Sequence, residues 1–440
     1  MVVFPDMTPD TTAAAPATAP AAPAPALPVP PPLWRLPDFR RLWAGDTVSQ
    51  AGTAVTVLAL PLVAIGPLGA SPFGTGLLVM CEYLGFLLLG LPAGAWVDRM
   101  RRRRVMVVTD LVRALLLASL PVAAWCGVLT LPQLYAVAFG MSVCTAFFDI
   151  AYQSHLPGLV AADRLLAANV ALESTRTVTA AGGPGAGGAL IAAVGAPLAL
   201  VADAVSFLAS ALLLSRIRRP DPRPERRPGT RLRAEIGEGL RFVFRTPVLR
   251  ALTLTAAVSN LCGTVGASML LVLLAGEGEG GLGLSPFLCG LVFTAEAAGG
   301  FLGSLLTARV AARLGGRFGE GRVVMCGSVV VSGVLWLLAL PFFQADWRFA
   351  VAVALQGLGW TAFMPFKIGS VALRQRLVPE PLLGRVTATF RFVVWGCMPL
   401  GALLGALLGQ YAGVRTALWA GALGELLAVL PLALSPRSRR

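Results

Sequence analysis

The chain has 440 residues, of which 56% are hydrophobic and only 13% are charged. A soluble globular protein carries about 25% charged residues, which excludes a single water-exposed domain. The net charge of +14 does not indicate a nucleic-acid binder, because the basic residues form no RNA-binding or DNA-binding motif. With one histidine, His155, and seven scattered cysteines, the composition predicts no metal site, no histidine-based hydrolase and no cofactor.

Twelve apolar stretches long enough to cross a bilayer follow one another from residue 36 onward, with a polar interval after the sixth. The first six lie near 42–66, 73–97, 105–128, 132–155, 170–194 and 196–215. The last six lie near 249–275, 286–310, 323–343, 347–370, 386–409 and 413–435. This pattern predicts an all-α membrane protein with twelve transmembrane helices in two six-helix bundles.

The composition along the chain predicts five parts. They are a disordered Pro/Ala-rich tail at 1–35, a first bundle at 36–215, a linker at 216–248, a second bundle at 249–435 and a basic tail at 436–440. All but four of the 36 Lys and Arg residues lie in the tails, in the linker and in loops on one side of these bundles. Positive charge is retained on the cytoplasmic side, so both termini and the linker are predicted to be cytoplasmic.

The linker contains a short amphipathic pattern. Its apolar residues recur at every fourth position and charged residues occupy most of the rest; the apolar ones are Leu232, Ile236, Leu240 and Phe244. The pattern predicts a helix that lies on the inner leaflet, with a solvated basic loop as the alternative.

The two halves of the chain resemble each other. Thr145–Asp149 (TAFFD) matches Thr361–Pro365 (TAFMP) at a separation of 216 residues, and Pro184 matches Pro399 at 215. Near-constant separations indicate an internal duplication, which is common among membrane transporters.

Two motifs carry a resemblance to a known family. The sequence GAWVDRMRRRR resembles the loop signature of the major facilitator superfamily, matched by Gly94, Asp98, Arg99, Arg102 and Arg103. A second run resembles the motif of the superfamily's antiporter branches, matched by Gly183, Pro184, Gly187 and Gly188. Phe147–Val160 and Asp203–Phe207 are similar to the branch of macrolide-type drug exporters and the enterobactin exporter.

The resemblance implies the major facilitator fold in a bacterial plasma membrane and export by alternating access, in exchange for protons. The implied substrate is a small, partly hydrophobic drug, siderophore or secondary metabolite, and we expect a monomer. The fourth span lacks the R-x-x-Q-G element linked to proton coupling, of which Gln356-Gly357 is a relic in the tenth. An uptake carrier or lysolipid flippase on the same fold, and a receptor that transports nothing, remain alternatives.

The two motifs also have a physical interpretation. A carboxylate at Asp98 can meet the positive end of a helix dipole and pair with arginine when the cytoplasmic side closes, which predicts a latch. The alternative is a simple positive-inside anchor. The glycines around Pro184 allow close helix contact and a bend, either at the moving interface between halves or in ordinary packing.

Charged residues inside spans cost about 2.5–3.5 kcal/mol on insertion scales unless they find water or a partner. Asp110 with Arg113, and Glu173 with Arg176, have the spacing of local ion pairs. Asp46 and Asp149 lie in the inner thirds of the first and fourth spans, which line the cavity in the superfamily that the sequence resembles. They are therefore candidates for substrate or proton contacts, with hydrogen bonding at a cytoplasmic gate as the alternative.

Glu82 and Glu296 lie near the middle of the second and eighth spans, 214 residues apart, with no basic residue nearby in sequence. A carboxyl group in such surroundings can take up and release a proton, so both are proton-coupling candidates. The alternative is a pair of protonated, hydrogen-bonded structural residues. Aromatic residues of the fourth and tenth spans are candidates to line a substrate cavity, namely Phe147, Phe148, Trp360, Phe363 and Phe366.

Overall fold

The computed structural model describes residues 33–97, 99–161, 164–219, 232–277, 280–313 and 321–435. The first seven helices are α1 (Pro37–Ile65), α2 (Pro72–Val97), α3 (Arg102–Trp125), α4 (Leu131–Leu159), α5 (Leu165–Val194), α6 (Ala196–Ser215) and α7 (Leu232–Arg245). The others are α8 (Pro247–Ala275), α9 (Pro286–Arg313), α10 (Arg322–Ala339), α11 (Arg348–Leu377), α12 (Glu380–Tyr411), α13 (Val414–Leu427) and α14 (Leu430–Ala433). Single 3₁₀ turns occupy Leu33–Arg35 and Leu340–Phe342.

Twelve membrane spans are present within the described ranges, as the sequence predicts. Each of α1–α6 and α8–α12 forms one span, and the twelfth, Val414–Ala433, combines α13 and α14. Because successive spans alternate in direction, the linker helix α7 and the start of α1 lie at one end of the bundle, here called the linker end. The opposite end is called the far end. The all-α fold class is confirmed.

Proline and glycine set several helix boundaries. α8 and α9 start at Pro247 and Pro286, where the missing N–H belongs to a first turn that has no intrahelical partner. At the far end, Gly195 separates α5 from α6 and Gly413 separates α12 from α13, with φ of +83° and +94°. Both turns need glycine because a β-carbon disfavours this backbone conformation. The same turn thus recurs in both halves.

The contact between the halves differs at the two ends of the bundle. At the far end, one apolar cluster joins both halves; we call it the far-end cluster, and it includes Leu58, Leu62 and Ile191 with Leu270, Leu274 and Val292. Toward the linker end, the buried apolar residues form separate cores. One belongs to α1–α6 and includes Phe39 and Met106, and the other belongs to α8–α14 and includes Leu252 and Val329. The halves are therefore joined by apolar packing mainly at the far end.

The linker helix α7 packs against α12. Glu238 pairs with Arg385 of α12, and a β-carbon at Gly239 would lie 2.6 Å from Thr389 Oγ1. Val243 is buried among apolar residues of α8 and α12. Leu240 and Phe244 of the predicted apolar stripe are exposed, whereas the side chains of Leu232 and Ile236 lie outside the described residues. The helix is confirmed, and its docking on α12 is an addition to the sequence prediction.

Candidate functional site

A cavity of about 430 Å³ lies between the two halves. Of the described residues in the first half, those that line the cavity belong to α1 and α2: Val57, Pro61, Val79, Glu82 and Tyr83. The second half contributes the larger part of the wall, including four aromatic side chains: Phe293, Trp336, Trp360 and Phe363. A mainly apolar pocket of this size with a few polar groups is typical of small-molecule sites.

Among the residues that the structure describes, three glutamates line this cavity. In the second half, Glu296 of α9 accepts a 2.8 Å hydrogen bond from Gln356 Nε2 of α11. Glu425 of α13 accepts a 2.6 Å hydrogen bond from Ser259 Oγ of α8. The third is Glu82 of α2, whose carboxylate forms no hydrogen bond or ion pair with another described residue. Each of these two hydrogen bonds in the second half joins two helices of the cavity wall.

The structure brings together only part of the predicted site. Glu82 and Glu296 line one cavity, together with the predicted aromatics Trp360 and Phe363. Phe148 and Phe366 are instead core residues, 5% and 2% exposed, because each points into the apolar core of its own half. Phe147 also lies outside the cavity and stacks on Trp96.

Several lining residues were missed by the sequence reasoning. Glu425, Ser259 and Asn260 line the cavity, and Gln356, considered only as a relic, holds Glu296. The cost of burying a charge in a span would have singled out Glu425, just as it did Glu82.

Asp46 and Asp149 lie outside this cavity, in a charged cluster of the first half. Arg176 Nη2 of α5 lies 3.5 Å from Asp46 Oδ1 of α1, and its guanidinium stands 5.3 Å from the ring centre of Tyr152. Asp149 lies within electrostatic range of Arg176. The predicted local pair of Glu173 with Arg176 is wrong, because Glu173 is exposed and the arginine crosses to Asp46.

A second buried pair follows the prediction. Arg113 pairs with Asp110 three residues earlier, and its guanidinium lies between the rings of Phe148 and Phe207, 4.5 and 4.2 Å from their centres. Such stacking partly replaces the water that the guanidinium loses on burial.

The arginines of the loop motif brace the first half at the linker end. Arg102 donates a 2.6 Å hydrogen bond to the carbonyl oxygen of Ser154 at the end of α4. Arg103 donates to the carbonyl oxygens of Ser215 and Ile217 at the end of α6. Gly94 lies in α2, Arg99 is exposed, and Asp98 lies outside the described residues.

The glycine motif of α5 contacts both halves. A β-carbon at Gly188 would lie 2.5 Å from the carbonyl oxygen of Pro286, and one at Gly290 would lie 2.3 Å from that of Pro184. Gly183 and Gly187 instead face Ala54 and Val55 of α1. The motif therefore allows α5 to approach α9 of the other half closely.

The twelve-span bundle with a cavity between its two halves defines a membrane transporter of the major facilitator class. The family model described as transmembrane secretion effector matches residues 31–437. The chain belongs to that family, which lies in the efflux branch of the major facilitator superfamily.

Similar proteins agree with this assignment. The multidrug efflux pump Tap of Mycolicibacterium fortuitum is 30% identical over 399 residues, which cover 88% of this chain and 93% of the relative. Macrolide efflux protein A of Streptococcus pyogenes is 25% identical over 87% of this chain and 91% of the relative. A bacterial homologue of the iron transporter ferroportin, in its inward-facing state, has a TM-score of 0.71 at 19% identity, covering 90% of this chain and 98% of its own. That likeness concerns the fold.

Proposed function

We propose that the protein exports small, partly hydrophobic compounds in exchange for protons, by alternating access. The observation that carries the proposal is the cavity between the halves, into which equivalent helices of each half bring one glutamate, Glu82 and Glu296. The relatives named as efflux pumps support the direction of transport.

The charge distribution supports a cytoplasmic linker end in a bacterial plasma membrane. With that orientation, the far-end cluster closes the outer side, and the separate cores at the linker end correspond to an inward-open state. Rocking the halves about the cavity would break the far-end cluster and join the halves at the linker end. Both halves of this chain line the cavity, and a monomer is part of the proposal as the transporting unit.

Proton coupling is assigned to the cavity glutamates. Within the described part of the chain, no lysine, arginine or histidine lines the cavity, so their carboxylates have no cation there to hold them ionised. Glu82 has no hydrogen-bond partner among the described residues, whereas Glu296 is held by Gln356. We favour Glu82 as the principal proton carrier and Glu296 as the second candidate. Asp46 and Asp149 are further candidates if both glutamates are excluded.

The assay is flux of a compound panel into proteoliposomes, with and without an imposed pH gradient. Glu82→Gln should abolish gradient-driven accumulation but leave downhill exchange intact, because glutamine keeps the shape of a protonated glutamate and releases no proton. Glu173→Gln is the matched control, since this exposed glutamate lies in the same half outside the cavity. Wild-type gradient-driven flux in both Glu82→Gln and Glu296→Gln would remove these residues from the coupling mechanism.

The latch at Asp98 also remains a proposal. Loss of a contact between this carboxylate and a helix end, worth about 0.3–2 kcal/mol, should favour the inward-open state. Asp98→Asn should therefore lower flux at normal expression, and unchanged flux would leave the motif as a topology signal.

A further inference from the structure

The charged groups in the cavity wall have one sign. Three carboxylates line it, and among the described lining residues there is no arginine, lysine or histidine. When these acids are ionised, a low-dielectric cavity with one sign of charge attracts cations and repels anions. Acidic siderophores therefore fit this wall poorly.

The two glutamates of the second half are held by neutral donors, and Glu425 is buried whereas Glu296 is partly exposed. Glu425 is 5% exposed and bonds to Ser259, and Glu296 bonds to Gln356. Neither bond supplies a positive charge to balance a carboxylate. Each glutamate therefore has unused capacity for a cationic partner.

A second observation points to a ligand with N–H groups. Gln356 is 8% exposed and lines the cavity, and its Oε1 is buried without a hydrogen-bond partner. Buried polar atoms are usually paired, and this amide oxygen accepts hydrogen bonds. Because the amide nitrogen is already bonded to Glu296, a donor that reaches Oε1 also comes close to that carboxylate.

We propose that Glu296, Glu425 and Gln356 form a subsite for the protonated amine of a lipophilic organic cation. The proposal rests on the proposed function of the cavity as the substrate site. The carboxylates balance the charge of the ammonium group, and Gln356 Oε1 accepts a hydrogen bond from one of its N–H groups. Aromatic faces such as that of Trp360 contribute cation–π attraction.

The geometry favours an organic cation over a metal ion. Across the described ranges, no three His, Cys, Asp or Glu side chains are grouped so that they could hold a metal. The cavity volume of about 430 Å³ and its aromatic wall instead suit an apolar body of drug size.

The test is equilibrium binding to the purified chain in lipid nanodiscs, with empty nanodiscs as background. Dansylcadaverine, an aromatic body with a primary amine, is compared with its N-acetyl derivative, which has a similar shape but no charge. The wild-type chain should bind the amine at least about tenfold more tightly. Glu425→Gln and Glu296→Gln should each reduce amine affinity by about tenfold or more and leave N-acetyl affinity unchanged. Glu425→Asp and the control Glu173→Gln should keep the preference.

Equal affinity of the wild-type chain for the two probes would overturn the proposal without any variant. So would an unchanged preference in both Gln variants, or loss of both probes in Glu425→Gln with recovery of neither in Glu425→Asp. Failure of the amine subsite can be distinguished from failure of the proposed export function. Amine preference without gradient-driven flux would refute proton-coupled export alone, and gradient-driven flux of neutral compounds without amine preference would refute the subsite alone.

Discussion

Gln356 donates its side-chain N–H to Glu296 across 2.8 Å and so connects α11 to α9 inside the cavity wall. Gln356, the relic of the R-x-x-Q-G element, thus holds the Glu296 carboxylate in place. Gln356 lines the same cavity, and its side-chain carbonyl oxygen is buried without a hydrogen-bond partner.

A double-mutant cycle should detect this contact. Gln356→Ala and Glu296→Gln should couple by about 0.5–1.5 kcal/mol in amine binding, because Gln356→Ala removes the donor of this part-buried hydrogen bond and Glu296→Gln removes the charge of its acceptor. Ser332→Ala, on the cavity wall in α10, is the control and should couple to Glu296→Gln by less than about 0.3 kcal/mol. Additive effects for Gln356 would show that the hydrogen bond does not matter for binding.

The cross-helix pair in the first half should control stability. Arg176→Gln removes the only cation within 4 Å of the buried Asp46 among the described residues, and should lower the free energy of unfolding by about 1–3 kcal/mol. Adding Asp46→Asn should recover part of this loss, whereas Glu173→Gln should have no effect. Thermal unfolding in detergent measures all three, and equal destabilisation by Glu173→Gln would contradict the cross-helix pairing.

The far-end contact of the glycine motif with α9 leaves no room for one added methyl group at Gly188. Gly188→Ala places a β-carbon 2.5 Å from the Pro286 carbonyl, an overpacking that costs about 1–3 kcal/mol and should favour separation of the halves there. Spin labels at Val128 and Trp347, both exposed at the far end, should report a longer distance. Gly182→Ala, which meets nothing within 4 Å, should leave that distance unchanged.

The docking of α7 on α12 can also be tested by substituting a glycine at the contact. Gly239→Val would collide with Thr389 and the Arg385 backbone, so we expect α7 to detach and its amide hydrogens to exchange faster. Gly237→Val serves as the control because the β-carbon at that position lies in open space. Equal exchange in both variants would mean that the close contact at Gly239 is not needed for docking.

A native cysteine can report which end faces outward. Cys126 is exposed at the far end, so a membrane-impermeant maleimide should label it in intact cells, and Cys126→Ser should remove that signal. A cysteine placed at Glu225 in the linker should react only after permeabilisation. The reverse pattern would invert the predicted topology.

The spans were predictable from sequence because a bilayer requires continuous apolar helices whose backbone groups are satisfied internally. Glu82 and Glu296 were predictable because both an insertion cost and the duplication pointed to them. Glu425 has no acidic counterpart, since Ala211 stands 214 residues earlier, and the duplication therefore gave no signal.

Contacts between helices were not predictable to the same degree. Arg176 has a glutamate at suitable spacing along its own helix, yet it pairs with Asp46 of another helix. Similarly, Phe148 and Phe366 lie on helices that are apolar on most sides, so hydrophobic periodicity does not tell which aromatics face the core.

The far-end cluster gives the proposed conformational cycle a dependence on temperature. Separating the halves there would expose side chains such as Leu62 and Leu274 to water, and exposure of apolar surface raises the heat capacity. The free energy of that separation is consequently curved in temperature, and its apolar part is smaller in the cold than at 25 °C. Cooling thus weakens the apolar packing that holds the far end shut, while it slows the motion itself.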